Sequence, residues 1–320
     1  MSENRAWLPQ LRSTTLLYPL LSVVALVVVF TIASPNFLTL DNFSNIGRQA
    51  SVLLLVSLAG TVVILIGSID LSVGANVTLS GLVTALTLDK LGVAGGLLAG
   101  IAVGAVIGLF NGSVYTVFRV PSFLVTLGSL SICGGIADHL SKGSAVLFSE
   151  TGLTGLVNAG PVLGIPNIVL IVLVVTGVLT FTAFRTSFGR YLFAIGGGEP
   201  VAALSGLNVR GYKIAAFVLA GALCGLGGVL ITGQVQAGSP GAGDAMLLDS
   251  IAAVVMGGTA LSGGLGGPHR TLLGVVVIAI LSNGMDLMGI DSFTQEIVKG
   301  IVVILAVALT IDRSRYAAIK

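Results

Sequence analysis

Charge is the scarcest property of this 320-residue sequence, in which Asp, Glu, Lys and Arg together make up only 9% of the residues. Soluble domains contain about 25% of these four residue types. A chain this poor in charge cannot cover a folded surface with groups that water solvates, so most of its surface must face lipid or neighbouring helices. Hydrophobic residues reach 55%, and the mean hydropathy is +1.07. These proportions exclude a soluble globular protein.

Motifs for ATP binding and hydrolysis are also missing. The sequence contains no G-x-x-x-x-G-K-[ST], no G-x-S-x-G and no H-E-x-x-H, which argues against an ATP site, a serine hydrolase and a zinc protease. Cys133 and Cys224 lie in apolar runs without metal-ligand spacing, as buried structural thiols do. His139 and His269 fall at predicted helix ends. We therefore expect no enzymatic activity, no cofactor, no metal and no nucleic-acid partner.

Long apolar runs separated by short polar turns dominate the rest of the sequence. A spanning helix needs about 20 apolar residues, and the runs predict about ten such helices in a single domain over residues 1–320. Glycine occurs 45 times and proline only 9 times, which suits helices that pack closely in a membrane. We predict an all-α integral membrane protein with helices at residues 15–33, 51–69, 72–88, 93–117, 121–140, 161–184, 213–234, 246–262, 271–287 and 293–311.

The first apolar run follows Arg5 and Arg12 and superficially resembles a signal peptide. The run is too long for the hydrophobic region of a signal peptide, and Ser34-Pro35-Asn36 is a poor cleavage site. We therefore predict an uncleaved first helix.

Basic residues are distributed unevenly between the two ends of the predicted helices. One side holds 11 of the 15 Lys and Arg residues, namely Arg5, Arg12, Arg119, Arg185, Arg190, Arg210, Lys213, Arg270, Arg313, Arg315 and Lys320. The other side holds Arg48, Lys90 and Lys142, and Lys299 lies within the last helix. Because basic residues favour cytoplasmic segments, we predict that both termini are cytoplasmic, with a cytoplasmic loop at 185–212 and an external loop at 141–160.

Ionisable residues within the predicted helices are few. Asp249 lies near the start of the eighth helix, and Asp70 lies in a glycine-flanked break before the third. Glu296 and Lys299 have the spacing of an ion pair on one helix face. Ion-coupled carriers and pumps usually keep such groups near the membrane midplane, so their scarcity argues against that class.

The other polar residues in the helices are mostly amides and hydroxyls. Such groups can exchange hydrogen bonds with a neutral, hydroxyl-rich solute without burying charge. They also join helix to helix, and both interpretations are open for each residue. The candidates for a translocation pathway are Asp70, Ser72, Asn76, Asn111, Gln234 and Asp249.

Two short segments, at residues 67–74 and 257–264, share the spacing G-x-x-x-L-S-x-G. Repeated halves are common in transporters, so these segments are compatible with an internal repeat. Chance similarity in a chain rich in Gly, Leu and Ser is the alternative.

The first of these segments, G-S-I-D-L-S-V-G at residues 67–74, resembles the G-G-I-D-L-S-V-G motif of ribose-type ABC sugar permeases. Gly67 and Gly74 permit a backbone break at membrane depth, which is tolerated only where protein or a cavity surrounds it. Asp70 and Ser72 are suited to cap the next helix. Ser68 stands where many members of the family have a second glycine.

A second segment, A-I-G-G-G-E-P-V-A-A-L-S-G-L-N-V-R at residues 194–210, is similar to the cytoplasmic A-I-G-G-N-E-x-A-A-x-L-S-G-I-N-V loop of that family. The residue pattern predicts a short helix with Pro200 at its first position and an end at Gly206. This helix is predicted to present Val201, Ala202, Leu204 and Ser205 at its surface. The resemblance implies that the segment couples the chain to an ATPase, through Gly198, Glu199, Pro200, Ala202, Ala203 and Gly206.

The resemblance extends along nearly the whole chain. It includes S-P-N-F-L-T at 34–39, N-F-S-N-I at 42–46 and L-D-S-I-A-A-V-V-M-G-G-T at 248–259. It implies a membrane permease that works with a cytoplasmic ATP-binding subunit, a periplasmic or extracellular sugar-binding protein, and a second permease copy or paralogue. The alternatives are an importer of the same class for a sugar-like furanone or a branched amino acid, an ion-coupled carrier, and a membrane scaffold.

Overall fold

The computed structural model describes residues 13–160 and 164–310, and over those residues the chain is almost entirely helical. The helices are α1 (Ser13–Ala33), α2 (Leu40–Leu65), α3 (Val73–Val117), α4 (Ser122–Ser141), α5 (Gly152–Asn158), α6 (Asn167–Arg185), α7 (Ser187–Gly197), α8 (Glu199–Leu204), α9 (Val209–Val235), α10 (Met246–Met256), α11 (Pro268–Leu287) and α12 (Ser292–Thr310). Two short strands, β1 (Val146–Leu147) and β2 (Ala237–Gly238), pair antiparallel. The expected all-α class is confirmed.

Six helices in the described residues are long and apolar enough to cross a membrane, namely α2, α3, α4, α6, α9 and α11. The apolar part of α1, Leu17–Ala33, and α10 are shorter. Each of the ten predicted segments overlaps a helix of the structure. Residues 72–88 and 93–117 belong to one element, α3, which is interrupted at Gly92 with φ of 67° and ψ of −177°. Residues 161–163 of the sixth predicted helix lie outside the described residues, as do both termini and their basic residues.

Helix α2 begins 11 residues before the predicted start, at Leu40 rather than residue 51. Thr39 caps it, because its hydroxyl accepts a hydrogen bond from the backbone N–H of Asn42 at 3.3 Å. The first turns of α2 are polar, so they lie outside the apolar run from which the helix was predicted. The eighth predicted helix is too long, because it extends to residue 262, whereas α10 ends at Met256.

The packing of α9 against both halves of α3 depends on glycine. A Cβ atom at Gly104 would lie 2.7 Å from the Cα of Gly225, and one at Gly228 would lie 2.6 Å from the backbone nitrogen of Gly81. Side chains cannot occupy that space, so only glycine allows the backbones to approach this closely. The interruption at Gly92 reverses the direction of the chain, so that both halves of α3 pack against α9.

Helices α2 and α4 illustrate the difference between the centre and the edge of the bundle. In the most apolar stretch of α2, 78% of the residues are buried, compared with 22% in α4. The large side chains of Leu55, Leu58 and Leu65 are fully buried within the main core. The apolar stretch of α2 is therefore surrounded by other helices, which position the residues at its C-terminal end.

The predicted loop at 141–160 is a folded element that packs on the end of α9. Within it, Leu153 and Val157 of α5 are fully buried, close to Gly233. The carboxylate of Asp89 accepts hydrogen bonds from the backbone N–H groups of Ser149 and Glu150 at 2.9 Å. The predicted loop at 185–212 also contains regular structure, because α7, α8 and the first turn of α9 fall within it.

Helix α12 begins after Asp291, whose carboxylate accepts hydrogen bonds from the Thr294 hydroxyl at 2.6 Å and the Thr294 backbone N–H at 3.0 Å. Both hydrogen bonds favour the ionised carboxylate. They therefore lower the pKa of Asp291 below its usual value.

Candidate functional site

The break after α2 lies in the first of the segments that carry the resemblance. Gly67 adopts a φ of 73°, and the backbone N–H of Ser68 donates to the carbonyl of Val63 at 3.1 Å while that of Gly67 donates to Ile64 at 2.8 Å. This pattern is a Schellman cap, which a glycine at this position favours. The helix therefore ends where the sequence motif predicted a break.

Two details of the predicted break are wrong. Ser72 occupies the N-cap position of α3 but makes no side-chain cap hydrogen bond. Its hydroxyl instead donates to Asp70 Oδ1 at 2.6 Å and accepts from Asn111 Nδ2. Gly74 lies inside the first turn of α3 rather than at the break. A Cβ atom at Gly74 would lie 3.2 Å from the carbonyl carbon of Gly243, so this glycine serves close packing.

Four of the predicted pathway residues lie together in buried polar contacts between the two halves of α3 and α4. Asp70 also accepts the backbone N–H of Ser72 at 2.8 Å, and Asn111 Nδ2 donates to Ser72 Oγ at 2.9 Å. The hydroxyl of Ser129 donates to Asn111 Oδ1. One turn along, Asn76 Nδ2 donates to a carbonyl of α3 at 3.3 Å. We call Asp70, Ser72, Asn111 and Ser129 the buried network.

Side chains of α4 also hold the backbone of the break. The hydroxyl of Ser122 accepts the N–H of Ile69 at 3.1 Å, and that of Thr126 accepts the N–H of Leu71 at 3.0 Å. Backbone groups in a membrane protein must be paired internally, and here α4 supplies the partners. Ser122, Thr126 and Ser129 were not predicted as site residues, although their spacing of four and three residues places them on one helix face.

Three glycine-containing segments meet beside this break. The backbone N–H of Gly264 donates to the carbonyl of Leu65 at 3.0 Å, and a Cβ atom at Gly263 would lie 2.6 Å from the nitrogen of Gly67. A Cβ atom at Gly196, near the end of α7, would lie 2.5 Å from the nitrogen of Gly264. The end of α2, the loop after α10 and the end of α7 are therefore in backbone contact.

The two similar sequence segments end their preceding helices in the same way. Gly258 has a φ of 84°, and the N–H groups of Thr259 and Gly258 donate to Val254 at 3.2 Å and Val255 at 2.8 Å. This is the Schellman cap found at Gly67. The structural equivalent of Gly67 is therefore Gly258, one residue beyond the match suggested by the sequence spacing.

Helix α8 is the predicted coupling helix. Gly206, with a φ of 81°, ends it in a third Schellman cap, in which Leu207 N donates to Ala202 O at 3.2 Å. Glu199 Oε2 forms a salt bridge with Lys213 Nζ on α9 at 2.6 Å. Pro200 lies in the first turn, where its missing N–H costs nothing.

The exposed side of α8 differs in one residue from the predicted one. Val201 and Leu204 are exposed at 69% and 90%, whereas Ala202 is buried. Ala202 therefore packs α8 onto the rest of the chain and is not presented at the surface. Ala203 and Ser205 are exposed.

Lys213 connects α8 to the break after α2. Its ammonium group lies 4.7 Å from the ring centroid of Tyr115, and the Tyr115 hydroxyl accepts a hydrogen bond from Ser68 at 3.0 Å. Glu199, Lys213, Tyr115 and Ser68 therefore form a continuous series of polar contacts between the two segments that carry the resemblance.

The remaining two pathway candidates lie elsewhere. Asp249 Oδ2 forms a salt bridge with Lys299 Nζ on α12 at 2.8 Å, and both side chains are 18% exposed. The predicted pairing of Glu296 with Lys299 is therefore wrong, because α10 brings a carboxylate closer to the lysine than its own helix does. Gln234 lines an open cavity at the other end of the bundle.

That cavity has a volume of about 560 Å³. It lies between the first turns of α2 and the last residues of α5, α9 and α11. Its lining is mostly polar and consists of Asn42, Asn45, Arg48, Gln49, Asn158, Gln234, Val235, Asn283, Asp286 and Leu287. We call it the α2–α11 cavity.

Comparisons with known proteins show the family to which the chain belongs. The family model described as branched-chain amino acid transport system / permease component matches residues 42–307. The ribose import permease protein of Escherichia coli strain K12 is 36% identical over 308 residues, covering 95% of this chain and 94% of that protein. The corresponding protein of Bacillus subtilis strain 168 is 38% identical over 302 residues, 93% of each chain. The D-allose transport system permease protein of E. coli K12 is 34% identical over 291 residues, covering 89% and 88%. No solved structure matches.

Long apolar helices are typical of a multi-pass membrane protein, and irregular segments enclosed by protein are common in membrane transporters. The chain belongs to the family of branched-chain amino acid transport system permease components. It is an integral protein of the bacterial inner membrane, and its family consists of transport permeases rather than catalytic enzymes.

Proposed function

We propose that this chain is the membrane-spanning subunit of an ATP-driven, binding-protein-dependent importer for a neutral monosaccharide. A separate cytoplasmic subunit hydrolyses ATP, a sugar-binding protein delivers the solute, and a second permease copy or paralogue completes the pathway. The chain crosses the membrane ten times with both termini in the cytoplasm. The names of its relatives, which are ribose and allose permeases, support a pentose or hexose as the solute.

The observation that carries this proposal is the geometry of α8. It is a single short helix whose exposed side carries Val201 and Leu204, large apolar residues that gain from contact with another protein. Its end is held by the Gly206 cap and its start by the salt bridge from Glu199 to Lys213. A helix that is exposed yet firmly held can transmit movement of a docked ATPase.

Two sets of contacts provide the route for that movement. One is the polar series from Glu199 through Lys213 and Tyr115 to Ser68. The other is the backbone contact of Gly196 with the loop after α10, which is in turn hydrogen-bonded to the end of α2. Both reach the break after α2, so ATPase movement shifts this break and alternates access to the pathway.

The pathway residues fall into two roles in this proposal. Asp70, Ser72, Asn76 and Asn111 are buried and hydrogen-bonded, so they hold the moving segment together in this conformation. Gln234 faces the α2–α11 cavity and contacts the solute. Asp249 joins α10 to α12 through Lys299.

A branched amino acid is the second candidate for the solute. The family description names this class, and Arg48 and Asp286 line the same cavity with opposite charges that suit a zwitterion. The lining offers only Val235 and Leu287 for an aliphatic side chain, whereas amides dominate it. The cavity therefore matches a polyhydroxylated solute better.

Reconstitution tests the proposed function. Liposomes containing this chain, its ATP-binding subunit and its sugar-binding protein should take up labelled ribose or allose only with ATP, and uptake should resist uncouplers. Uptake of L-leucine instead would favour the second candidate, and uptake without the ATP-binding subunit would contradict the proposal.

Two variants of α8 test the coupling assignment in the same liposomes. Glu199→Lys places a second positive charge beside buried Lys213, and Gly206→Leu places a side chain where φ is 81°. Both should abolish ATP-driven uptake while the protein still inserts into the membrane. Ser187→Ala, at an exposed residue at the start of α7 and outside α8, is the control and should transport normally. Normal uptake in both coupling variants would remove the assignment.

A further inference from the structure

The α2–α11 cavity has a floor and a rim with different hydrogen-bonding states. At the floor, Asn42 and Asn283 form a reciprocal amide pair, in which each Nδ2 donates to the other Oδ1 at 2.9 Å. Both residues are buried. Their side chains already have partners, so they join α2 to α11 and close the inner end of the cavity.

The rim carries amides that the protein itself does not use. Among the described residues, the side chains of Asn45, Gln49 and Gln234 form no hydrogen bond. Each amide offers a donor and an acceptor, which is the combination that a sugar hydroxyl requires. Arg48 lies between Asn45 and Gln49 in sequence, and its Nε is buried without a partner in the described part of the chain.

The charge of the cavity is balanced. Arg48 and Asp286 are its two charged lining residues, and neither is in a salt bridge within residues 13–160 and 164–310. Asp286 accepts a hydrogen bond from Gln295 at 2.7 Å, which occupies part of its capacity. A neutral solute can therefore enter without leaving an uncompensated charge, and the guanidinium offers several donors in one plane to neighbouring hydroxyls.

We propose that the α2–α11 cavity is a low-affinity sugar-binding site of the permease itself, in which Asn45, Arg48, Gln49 and Gln234 hydrogen-bond the hydroxyls of a neutral monosaccharide. The site lies at the end of the bundle opposite α8, so on the proposed topology it receives the sugar from the binding protein. A cavity of about 560 Å³ is within the usual range for small-molecule sites. Its wide opening favours weak binding and rapid release. This inference rests on the proposed function.

Ligand-observed saturation-transfer NMR on the purified full chain in nanodiscs tests the site without any partner. The neutral probes are D-ribose and D-glucose at millimolar concentration, with L-leucine as a zwitterionic comparator of similar size. The wild-type chain should give sugar signals and no leucine signal. Asn45→Ala and Gln49→Ala should each lower the sugar signal at least threefold, and Ser44→Ala, which lies beside the cavity but does not line it, should leave it unchanged.

A matched pair on α9 gives a second readout. Gln234→Asn shortens a lining side chain, whereas Gln236→Asn makes the same change at an exposed residue outside the lining, with a φ of 59° that Asn tolerates. Only Gln234→Asn should weaken sugar binding. Equal sugar signals from Gln234→Asn and Gln236→Asn would overturn the inference. So would a wild-type sugar signal in all cavity variants, or the absence of a sugar signal from the wild-type chain.

The failure of this inference is distinguishable from failure of the proposed function. If ATP-driven uptake proceeds in liposomes but the cavity variants bind and transport sugar normally, the site lies elsewhere and the importer assignment stands. A leucine signal stronger than the sugar signal would overturn the sugar assignment of the cavity and favour the amino-acid candidate.

Discussion

The buried network near α8 and the rim of the α2–α11 cavity contain similar polar residues in opposite hydrogen-bonding states. At the α8 end, Asp70, Ser72 and Asn111 are buried and hydrogen-bonded to one another. At the other end, Asn45 and Gln49 are exposed at the rim of a cavity. Polar side chains with internal partners hold a structure together, whereas those without partners remain available to a ligand. Residue type alone does not distinguish these roles, but the hydrogen-bonding state does.

The largest expected loss of stability comes from breaking the salt bridge between Asp249 and Lys299. Lys299→Met alone leaves Asp249 as an uncompensated charge at 18% exposure. Removing one member of a fully buried pair costs about 3–5 kcal/mol, so this partly buried pair should lose an amount near the lower end, about 3 kcal/mol. The double variant Asp249→Leu/Lys299→Met should recover most of that stability. Thermal unfolding in detergent, followed by size-exclusion chromatography, measures both. If the single and double variants are equally stable, the pair does not hold α10 to α12.

A pair of matched asparagines compares the two ends directly. Asn111→Leu removes the partner of Ser72 and Ser129 in the buried network and should destabilise the chain by about 1–3 kcal/mol, the cost of an unpaired buried polar group. Asn45→Leu makes the same change at the cavity rim and should change stability by less than about 0.5 kcal/mol. Equal losses in the same unfolding measurement would contradict the distinction between the two ends.

Tyr115→Phe should also have only a small effect on stability. It removes the hydrogen bond from Ser68 but keeps the ring beneath Lys213, and hydrogen bonds between membrane helices average about 0.6 kcal/mol. ATP-driven uptake should nevertheless fall severalfold, because the polar series from α8 to the break is interrupted. Combining it with Glu199→Gln should add little further loss, and fully additive losses would show that the two residues act independently.

Much of the fold follows from local sequence features. The ten apolar runs all fall on helices, and the glycine break at Gly67 and the short helix ended by Gly206 lie where the motifs placed them. Such features depend on hydropathy and on backbone conformations that glycine favours within a few residues. Several of the errors occurred where polar residues were involved, as at the early start of α2, which begins with a polar turn capped by Thr39.

Partnerships between distant residues could not be predicted in the same way. Asn42 pairs with Asn283 across 241 positions in sequence, and Lys299 pairs with Asp249 rather than with Glu296. An amide or a charge in a helix accepts many partners equally well, so its own sequence neighbourhood carries no information about which one lies nearest. The choice is made when the helices pack.

The sequence by itself determined the class of this protein, its helices and its two glycine-ended segments, because membrane burial and glycine conformation act locally. Only the tertiary structure decided which polar groups are sealed by partners and which are left open in the α2–α11 cavity. The physical reason is that hydrogen-bond satisfaction belongs to pairs of groups, and helix packing alone brings those pairs within reach.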